Sequence, residues 1–266
     1  MPKIKLQVGE VQAEEMIPSF DAIASEIDSN GIFGYVGDRH GVAVESDEDE
    51  YSIGEDYIYM RYVQEVTEER KQIEDGEVTI GDGNIARIMR FLLTRDGEYA
   101  YESTSGVYDN HALEYLIGED SFEIDFTCDR YNRFTRDQMR EFYQRAFRVR
   151  GFKIDEIGDR DGESVSVSSE VQDYVEDAGE SAVRAVFSTG TQDNSLESPD
   201  MIDGFARLSS LNYIRMKDSE GQINEAHQNG RYTIRYPADL DLDQQGEIVR
   251  GVLESVTDGL TTEEDD

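Results

Sequence analysis

The chain is short of the residues that form covalent and metal-bound cross-links. Its 266 residues include no tryptophan, three scattered histidines and a single cysteine, Cys128. One cysteine excludes an internal disulfide and any CxxC metal motif. No apolar run approaches the length of a membrane span, and the first residues, MPKIKLQV, lack the apolar core of a signal peptide. The sequence therefore predicts a cytoplasmic protein with no cofactor and no membrane partner.

Lysine is also scarce, whereas acidic residues are abundant. Sixty Asp and Glu face 25 Lys and Arg, of which only five are lysine, and the net charge is -35. Such an excess of carboxylates holds water and cations at molar salt, where the Debye length is only about 3 Å and the mutual repulsion is screened. The composition resembles that of proteins from halophilic archaea. The alternative is an acidic protein of a non-halophile, for example a nucleic-acid mimic.

The net charge of the whole chain says little about its partners. A halophilic protein is acidic whatever it binds, so a negative total does not exclude DNA or RNA. One segment departs from the background. Residues 130–153, RYNRFTRDQMREFYQRAFRVRGFK, contain eight Lys or Arg, six aromatic residues and two acids, and we name them the cationic segment. The net charge of this segment is +6, against -41 for the rest of the chain.

The order of strands and helices lacks a regular β–α–β rhythm, which favours an α+β fold with mostly antiparallel sheets, flanking helices and two subdomains. Alternating apolar residues predict strands at 3–11 and 56–66, and Asp96-Gly97 predicts the turn of a hairpin within 84–103. Polar residues at 159–169 predict a linker. The predicted organisation is an N-terminal α+β domain at 1–158, a C-terminal α+β domain at 170–260 and an acidic tail at 261–266.

A helix is predicted within the cationic segment. Thr135 and Gln138 fit a capping box, which opens a helix over 136–148. At 100° per residue, apolar residues such as Phe142 gather on one side of this helix and arginines such as Arg140 on the other. The segment therefore presents a cationic face whether or not that face binds a partner.

Arginine and exposed aromatic residues together are what nucleic-acid recognition uses. A planar guanidinium binds phosphate through two hydrogen bonds, and an exposed ring stacks on an unpaired base at about 1–3 kcal/mol per base. Tyr131 and Phe134 are expected to be exposed and to stack in this way. At molar salt the gain from counterion release shrinks, so geometry and stacking carry more of the affinity. The sequence therefore predicts a DNA- or RNA-binding surface formed by Arg87, Arg90, Arg130, Tyr131, Arg133, Phe134, Arg136, Arg140, Arg145, Arg148, Arg150 and Lys153.

Two other interpretations of the cationic segment remain open. Its arginines can pair with acidic neighbours of the same fold, in which case the segment is an ordinary amphipathic helix. Alternatively, the arginine face can dock an acidic protein, which makes the chain a protein–protein adaptor, and a homodimer is compatible with this role. In all of these interpretations the chain is a non-enzymatic accessory protein.

Candidate catalytic residues give weaker signals. Asp56, Glu69 and Lys71 match the Asp…Glu-x-Lys arrangement of metal-dependent nucleases, in which two carboxylates hold a divalent metal and the lysine lies beside the attacking water. However, no proline precedes Asp56, and E-x-K triplets are common in charged chains. His40, beside Asp38, fits a general acid or base but is more typical of a surface turn. The sequence therefore favours a protein without catalytic activity.

We expect the stability of the fold to depend on salt. Lowering KCl from molar to millimolar concentrations removes the screening between carboxylates, so their repulsion should lower the thermal unfolding temperature or unfold the chain. Circular dichroism during heating, at a series of KCl concentrations, measures this. An unfolding temperature that does not change with KCl would contradict the halophilic interpretation.

Overall fold

The structure, a computed structural model, describes residues 3–36, 38–42, 51–74, 77–155, 184–189, 206, 210–217, 223–235 and 240–257. The chain divides into two compact units. The first unit comprises residues 1–6, 131–238 and 254–266, and the second unit comprises residues 7–130 and 239–253. The predicted linker at 159–169 and the predicted tail at 261–266 lie outside the described residues.

The secondary structure is mostly antiparallel sheet, with four helices in the described ranges. The strands are β1 (Lys3–Ala13), β2 (Ile32–Phe33), β3 (His40–Val42), β4 (Tyr51–Ile53), β5 (Tyr57–Glu74), β6 (Glu77–Thr94), β7 (Glu98–Glu102), β8 (Phe126–Arg130), β9 (Arg148–Asp155), β10 (Arg184–Ser188), β11 (Ser210–Lys217), β12 (Ile223–His227) and β13 (Arg231–Arg235). The helices are α1 (Phe20–Asn30), α2 (Asp109–Leu116), α3 (Arg136–Arg145) and α4 (Leu242–Thr257). The prediction of an α+β chain with mostly antiparallel sheet is confirmed. None of the helices that the structure describes is both long and apolar enough to cross a membrane.

The first unit contains a sheet in which every pairing is antiparallel. The strand order is β10-β9-β11-β12-β13, and residues 3–6 of β1 pair with β13. α3 packs against β11 and β12. Phe142 of α3 meets Tyr232 with ring centroids 5.7 Å apart, and Tyr143 meets Phe152 at 5.8 Å. All four rings are buried, so α3 is fixed to the sheet by its aromatic side.

α3 begins where the capping box predicts and ends earlier than expected. Thr135 Oγ1 accepts the N–H of Gln138 at 3.2 Å, and Gln138 Oε1 accepts the N–H of Thr135 at 2.7 Å. The prediction that the helix continues to Arg148 is wrong. Ala146 turns to φ -62° and ψ 126°, and β9 begins two residues later. The ladders of β9 with β10 and β11 satisfy backbone groups that another helical turn would have used.

A tight turn joins β12 to β13. Gly230 adopts φ 74°, and its N–H donates to the carbonyl of His227 at 3.1 Å. The N–H of Gln228 donates to the carbonyl of Asn212 at 2.9 Å, and the carbonyl of Gln228 accepts the N–H of Phe134 at 2.9 Å. The backbone of this turn is therefore bound both to β11 and to the loop that precedes α3.

The second unit is built around the hairpin of β5 and β6. The two 18-residue strands pair in one continuous antiparallel register. β7 pairs with β6, β3 and β4 pair with β5, and β8 pairs with residues 9–13 of β1. The core combines Ile23 and Ile27 of α1, Leu113 and Leu116 of α2, and Phe91 of β6, all of them buried.

Several local predictions for the second unit are confirmed. Apolar residues at 20, 23, 24 and 27 recur at helical spacing, which predicts one buried face, and α1 buries these four residues. A short helix is expected near 109–116, and α2 spans these residues. Gly97, at φ 90°, lies in the turn between β6 and β7. The strand predicted at 56–66 is longer than expected and continues to Glu74.

A two-stranded arm forms the far end of the β5–β6 hairpin. Beyond Glu65, whose N–H donates to the carbonyl of Arg39, β5 pairs only with β6 in the part of the chain that the structure describes. We name the residue pairs from Val66–Ile85 to Glu74–Glu77 the arm. At about 3.3 Å per residue, the arm is roughly 30 Å long. No third strand or helix covers it within the described residues.

Two glycines should respond to alanine in opposite ways. At Gly230 the left-handed backbone disfavours alanine, and a Cβ would collide with the carbonyl oxygen of Tyr131. Gly230→Ala should therefore lower the free energy of unfolding by about 2 kcal/mol or more.

At Gly251, inside α4, a Cβ meets no heavy atom within 4 Å. Gly251→Ala should therefore raise the free energy of unfolding by about 0.5–1 kcal/mol. Urea unfolding in molar KCl measures both changes. A loss of stability in Gly251→Ala, or none in Gly230→Ala, would contradict the backbone geometry of α4 or of the turn, respectively.

Candidate nucleic-acid interface

The predicted site residues fall into both units. Arg87, Arg90 and Arg130 belong to the second unit, and the residues from Tyr131 to Lys153 belong to the first. The cationic segment is thus divided after its first residue.

Arg87 and Arg90, on β6, are held by the second unit. Arg87 forms an ion pair with Glu68, and its Nη1 donates to the carbonyl of Gly106 at 2.8 Å. Arg90 Nη1 donates to Glu102 Oε2 at 2.8 Å. Each guanidinium therefore has a carboxylate partner from a neighbouring strand. This arrangement matches the alternative in which arginines pair with acids of their own fold.

Arg130 forms a bidentate pair with a buried carboxylate. Its Nε lies 2.8 Å from Asp109 Oδ2 and its Nη2 lies 2.5 Å from Asp109 Oδ1. The hydroxyl of Tyr99 donates to the same Oδ2 at 2.8 Å, and Asp109 is fully buried. Hydrogen bonding to Asp109 raises the pKa of Arg130, and burial together with Asp109 raises the pKa of Tyr99. The three groups therefore form a polar anchor around a buried carboxylate, which joins α2 to β7 and β8.

The arginines of α3 are largely paired within the helix. Arg140 lies 3.5 Å from Asp137, one turn earlier, and Arg145 forms an ion pair with Glu141. Arg136 is half-buried. Exposed pairs of this kind contribute little to stability, about 0.3–0.5 kcal/mol. They nevertheless compensate the charge that the helix would offer to an anionic partner.

One of the two aromatic residues expected to stack on bases is not accessible. Phe134 is fully buried and meets Phe142 edge to face at 5.3 Å, so the prediction that it is exposed is wrong. The cause is the hydrogen bond from its backbone to Gln228, which draws the loop against the turn of β12 and β13. Tyr131, three residues earlier, is half-buried.

Two cations of β9 are held over aromatic rings. Arg148 Cζ lies 5.5 Å from the ring centroid of Phe147, a side chain that is 59% exposed. Lys153 Nζ lies 5.2 Å from the ring centroid of Tyr213. Arg150, between them, is half-buried. Phe147 therefore supplies an accessible ring next to a cation, which Phe134 does not.

Arg133 differs from the other arginines of the cationic segment. It is exposed, and it forms no ion pair with any described residue. It lines a cleft of about 370 Å³ in the first unit. The other described residues that line this cleft, which we name the amide cleft, are Asn132, Asn212, His227, Gln228 and Asn229. No carboxylate is among them, although the chain contains sixty.

The strands behind the amide cleft carry an excess of positive charge. Glu225, buried on β12, accepts a hydrogen bond from Lys3 at 3.0 Å and lies 3.4 Å from Arg235 and 3.8 Å from Arg215. Burial alone would raise the pKa of Glu225. The hydrogen bond from Lys3 and the charges of all three cations lower the pKa by more than burial raises it, so the pKa is lowered overall. Among the described residues, one carboxylate thus faces three cations.

His227 enters the amide cleft as a neutral ring. Its centroid lies 4.8 Å from that of Tyr213. Burial lowers the pKa of His227, and Lys3 and Lys153 lower it further, whereas Glu225 raises it. A neutral imidazole has one hydrogen-bond donor and one acceptor. The cleft therefore offers amide and imidazole groups of both kinds beside one guanidinium.

Sequence reasoning identified Arg133 but missed the rest of the amide cleft. Asn212, His227, Gln228 and Asn229 come from β11 and from the β12–β13 turn, and around 80 to 100 residues of sequence separate them from Arg133. The sequence HQNG at 227–230 is typical of a turn, but it does not indicate a binding site. No signal in the sequence brings these polar side chains to the cationic segment.

The proposed nuclease residues do not come together. Asp56 immediately precedes β5, and Glu69 lies thirteen residues further on, within the same uninterrupted strand. At about 3.3 Å per residue they are roughly 40 Å apart, so they cannot share a metal ion. Asp56 instead pairs with Arg250, whose Nε lies 3.0 Å from its Oδ2. No group of His, Cys, Asp and Glu among the described residues is arranged to hold a metal.

Comparison with known proteins adds no family to this description. No protein-family model matches the chain, and no curated protein matches it either. The function is therefore argued from the chemistry of the described residues.

Removing Arg130 should destabilise the protein rather than a binding surface. Arg130→Ala leaves the buried Asp109 without its cation, so the free energy of unfolding should fall by about 3 kcal/mol. This is the lower end of the usual range, because 37% of the Arg130 side chain is exposed. Arg145→Ala, which removes an exposed helical pair, is the control and should change it by about 0.5 kcal/mol or less. Equal stabilities of the two variants in urea unfolding would contradict the structural role of Arg130.

Proposed function

We propose that the chain is a non-enzymatic accessory protein that contacts unpaired nucleotides of DNA or RNA through the first unit. The observation that carries the proposal is Arg133, an exposed guanidinium with no ion pair among the described residues, at the edge of the amide cleft. In a chain with so many acids, a cation without a carboxylate partner is available to a phosphate. Arg133 therefore takes the central role, and the paired arginines of α3 are secondary.

The lining of the amide cleft supports contact with base edges. Side-chain amides donate and accept at once, which suits the Watson–Crick and Hoogsteen edges of a base that is not paired. The neutral ring of His227 adds one more donor and one more acceptor. A volume of about 370 Å³ lies at the lower end of the range for ligand pockets, so the cleft admits a single nucleotide rather than a duplex.

The setting of the amide cleft supports binding at high salt. Hydrogen bonds between fixed amides and a base depend little on ionic strength, whereas contacts of surface cations with phosphates weaken steeply. Backbone hydrogen bonds of Gln228 to Asn212 and Phe134 hold three chain segments together around the cleft before any ligand arrives. This geometry fits a cytoplasmic protein of a halophilic archaeon, in which molar salt would abolish a purely electrostatic contact.

The adaptor that docks an acidic protein is the second candidate. Phe147 is exposed beside Arg148, and Val186, paired with Lys153 across β9 and β10, is exposed as well. Apolar side chains next to cations are common at protein interfaces. The adaptor hypothesis predicts a bound protein and no affinity for nucleic acid.

Arg133→Glu should weaken nucleic-acid binding without unfolding the chain. Loss of a guanidinium contact costs about 1–3 kcal/mol, so the dissociation constant should rise about tenfold to a hundredfold. The measurement is fluorescence anisotropy in molar KCl with labelled single-stranded DNA, single-stranded RNA and duplex DNA. The single strands should bind more tightly than the duplex.

The matched control is Lys71→Glu, which makes the same change of charge at an exposed lysine of the arm in the second unit. This variant should bind the oligonucleotides with the same affinity as the wild type. Wild-type protein that binds none of the oligonucleotides would reject the proposal and favour the adaptor. Equal affinities of Arg133→Glu and the wild type would show that the amide cleft is not the contact.

A further inference from the structure

The second unit contains its own polar cleft, with chemistry opposite to that of the amide cleft. It measures about 240 Å³ and lies where β3, β5 and α2 approach one another. Its lining includes His40, Tyr62, Gln64, His111, Glu114 and Asp120, with Asp38 at its edge. The described lining residues include no lysine or arginine, whereas three of them are carboxylates. We name it the acidic cleft.

Tyr62 has an unused hydroxyl in this cleft. The side chain is 1% exposed, and its hydroxyl makes no hydrogen bond with any described residue. Burial raises the pKa of Tyr62, and the charges of Asp120 and Asp38 raise it further, so the hydroxyl stays protonated and can both donate and accept. A ligand in the cleft could therefore accept a hydrogen bond from this hydroxyl or donate one to it.

The two histidines of the cleft already have partners on one side. His40 Nε2 lies 3.1 Å from Asp120 Oδ2, and its Nδ1 lies 3.4 Å from the carbonyl of Asp38. This histidine therefore lies in a built site rather than in a simple surface turn. His111 Nδ1 lies 3.2 Å from Gln64 Oε1, and because that oxygen only accepts, Nδ1 donates and Nε2 is left as an acceptor.

The ring of Tyr62 lines the cleft and packs against the buried ring of Tyr115, which is outside the lining. The centroids of Tyr62 and Tyr115 are 5.9 Å apart, and His40 meets Tyr115 edge to face at 6.4 Å. Carboxylates next to ring faces are the usual environment for organic cations, because charge-assisted hydrogen bonds and cation–π attraction act together. An inorganic metal ion fits less well, since the His, Asp and Glu residues described here do not converge as a metal-ligand group.

We propose that the acidic cleft binds an organic cation with several N–H donors, a guanidinium or alkylammonium group. Glu114, Asp120 and Asp38 supply the opposite charge, and the hydroxyl of Tyr62 with Nε2 of His111 supplies further acceptors. A water occupies about 30 Å³, so about 240 Å³ has room for a group of several heavy atoms. The cation comes either from a free small molecule or from an Arg or Lys side chain of another protein. The proposal involves the second unit alone and does not depend on nucleic-acid binding.

Isothermal titration calorimetry in molar KCl tests the cleft with four probes. n-Butylguanidinium and n-butylammonium represent free cations, and blocked tripeptides with a central Arg or Lys represent side chains. n-Butylurea, a neutral isostere of n-butylguanidinium, is the ligand control. We expect at least one cationic probe to bind and n-butylurea not to bind. Binding of the free cations alone assigns a small-molecule ligand, and binding of the tripeptides assigns a protein side chain.

Two variants and a control locate the binding in the acidic cleft. Asp120→Asn removes the charge and should weaken binding of the cationic probe about tenfold or more. Tyr62→Phe keeps the ring and should weaken it about threefold to tenfold, and its fold should persist because the hydroxyl has no hydrogen-bond partner among the described residues. Glu119→Gln alters the adjacent exposed carboxylate, which does not line the cleft, and should bind as the wild type does.

Three results would overturn the proposal. These are no heat of binding with any cationic probe, equal binding of n-butylurea and n-butylguanidinium, and unchanged affinity in both Asp120→Asn and Tyr62→Phe. Circular dichroism of each variant shows whether it is folded, and if Asp120→Asn is not, the result with Tyr62→Phe decides.

Discussion

Competition of sixty carboxylates for twenty-five cationic side chains is the constraint on which the rest of this structure depends. Wherever a guanidinium comes near an acid of its own unit, the two pair, as Arg87 does with Glu68 and Arg130 with Asp109. A cluster of arginines in the sequence therefore does not by itself form a cationic surface in the folded protein. A cation that pairs with no acid remains available for a partner, and Arg133 is such a cation among the residues that the structure describes.

Much of the local structure could be predicted because its causes are local. The capping box of α3, the apolar face of α1 and the Asp96-Gly97 turn each depend on residues within one or two turns of chain. The errors arose where distant strands competed with local preference. α3 stops at Arg145 because β9 joins two other strands. The extra length of β5 is fixed by its pairing with β6, not by its own composition.

The site was less predictable than the fold because long-range backbone contacts assemble it. A periodicity argument marks Phe134 as part of a cationic, aromatic segment, but its burial follows from a hydrogen bond to Gln228, about ninety residues away in sequence. The same contact brings Asn212 and the β12–β13 turn to Arg133. His40 is a comparable case, since its partner Asp120 lies eighty residues further along the chain. The residue types in the sequence showed which side chains can bind or hydrogen-bond, whereas the topology of the fold determined which of them come into contact.

The arm raises a different question, that of what opposes strand pairing between copies of the chain. In the described residues neither outer edge of the arm is occupied by another strand, and such edges are templates for intermolecular sheets. Charged side chains normally prevent such pairing through repulsion, but at molar salt, where the Debye length is about 3 Å, this repulsion acts only at contact. Gly81 and Gly83, which weaken strand pairing at any ionic strength, lie within β6 of the arm. At molar salt these two glycines would oppose strand pairing between arms more than the acidic residues around them.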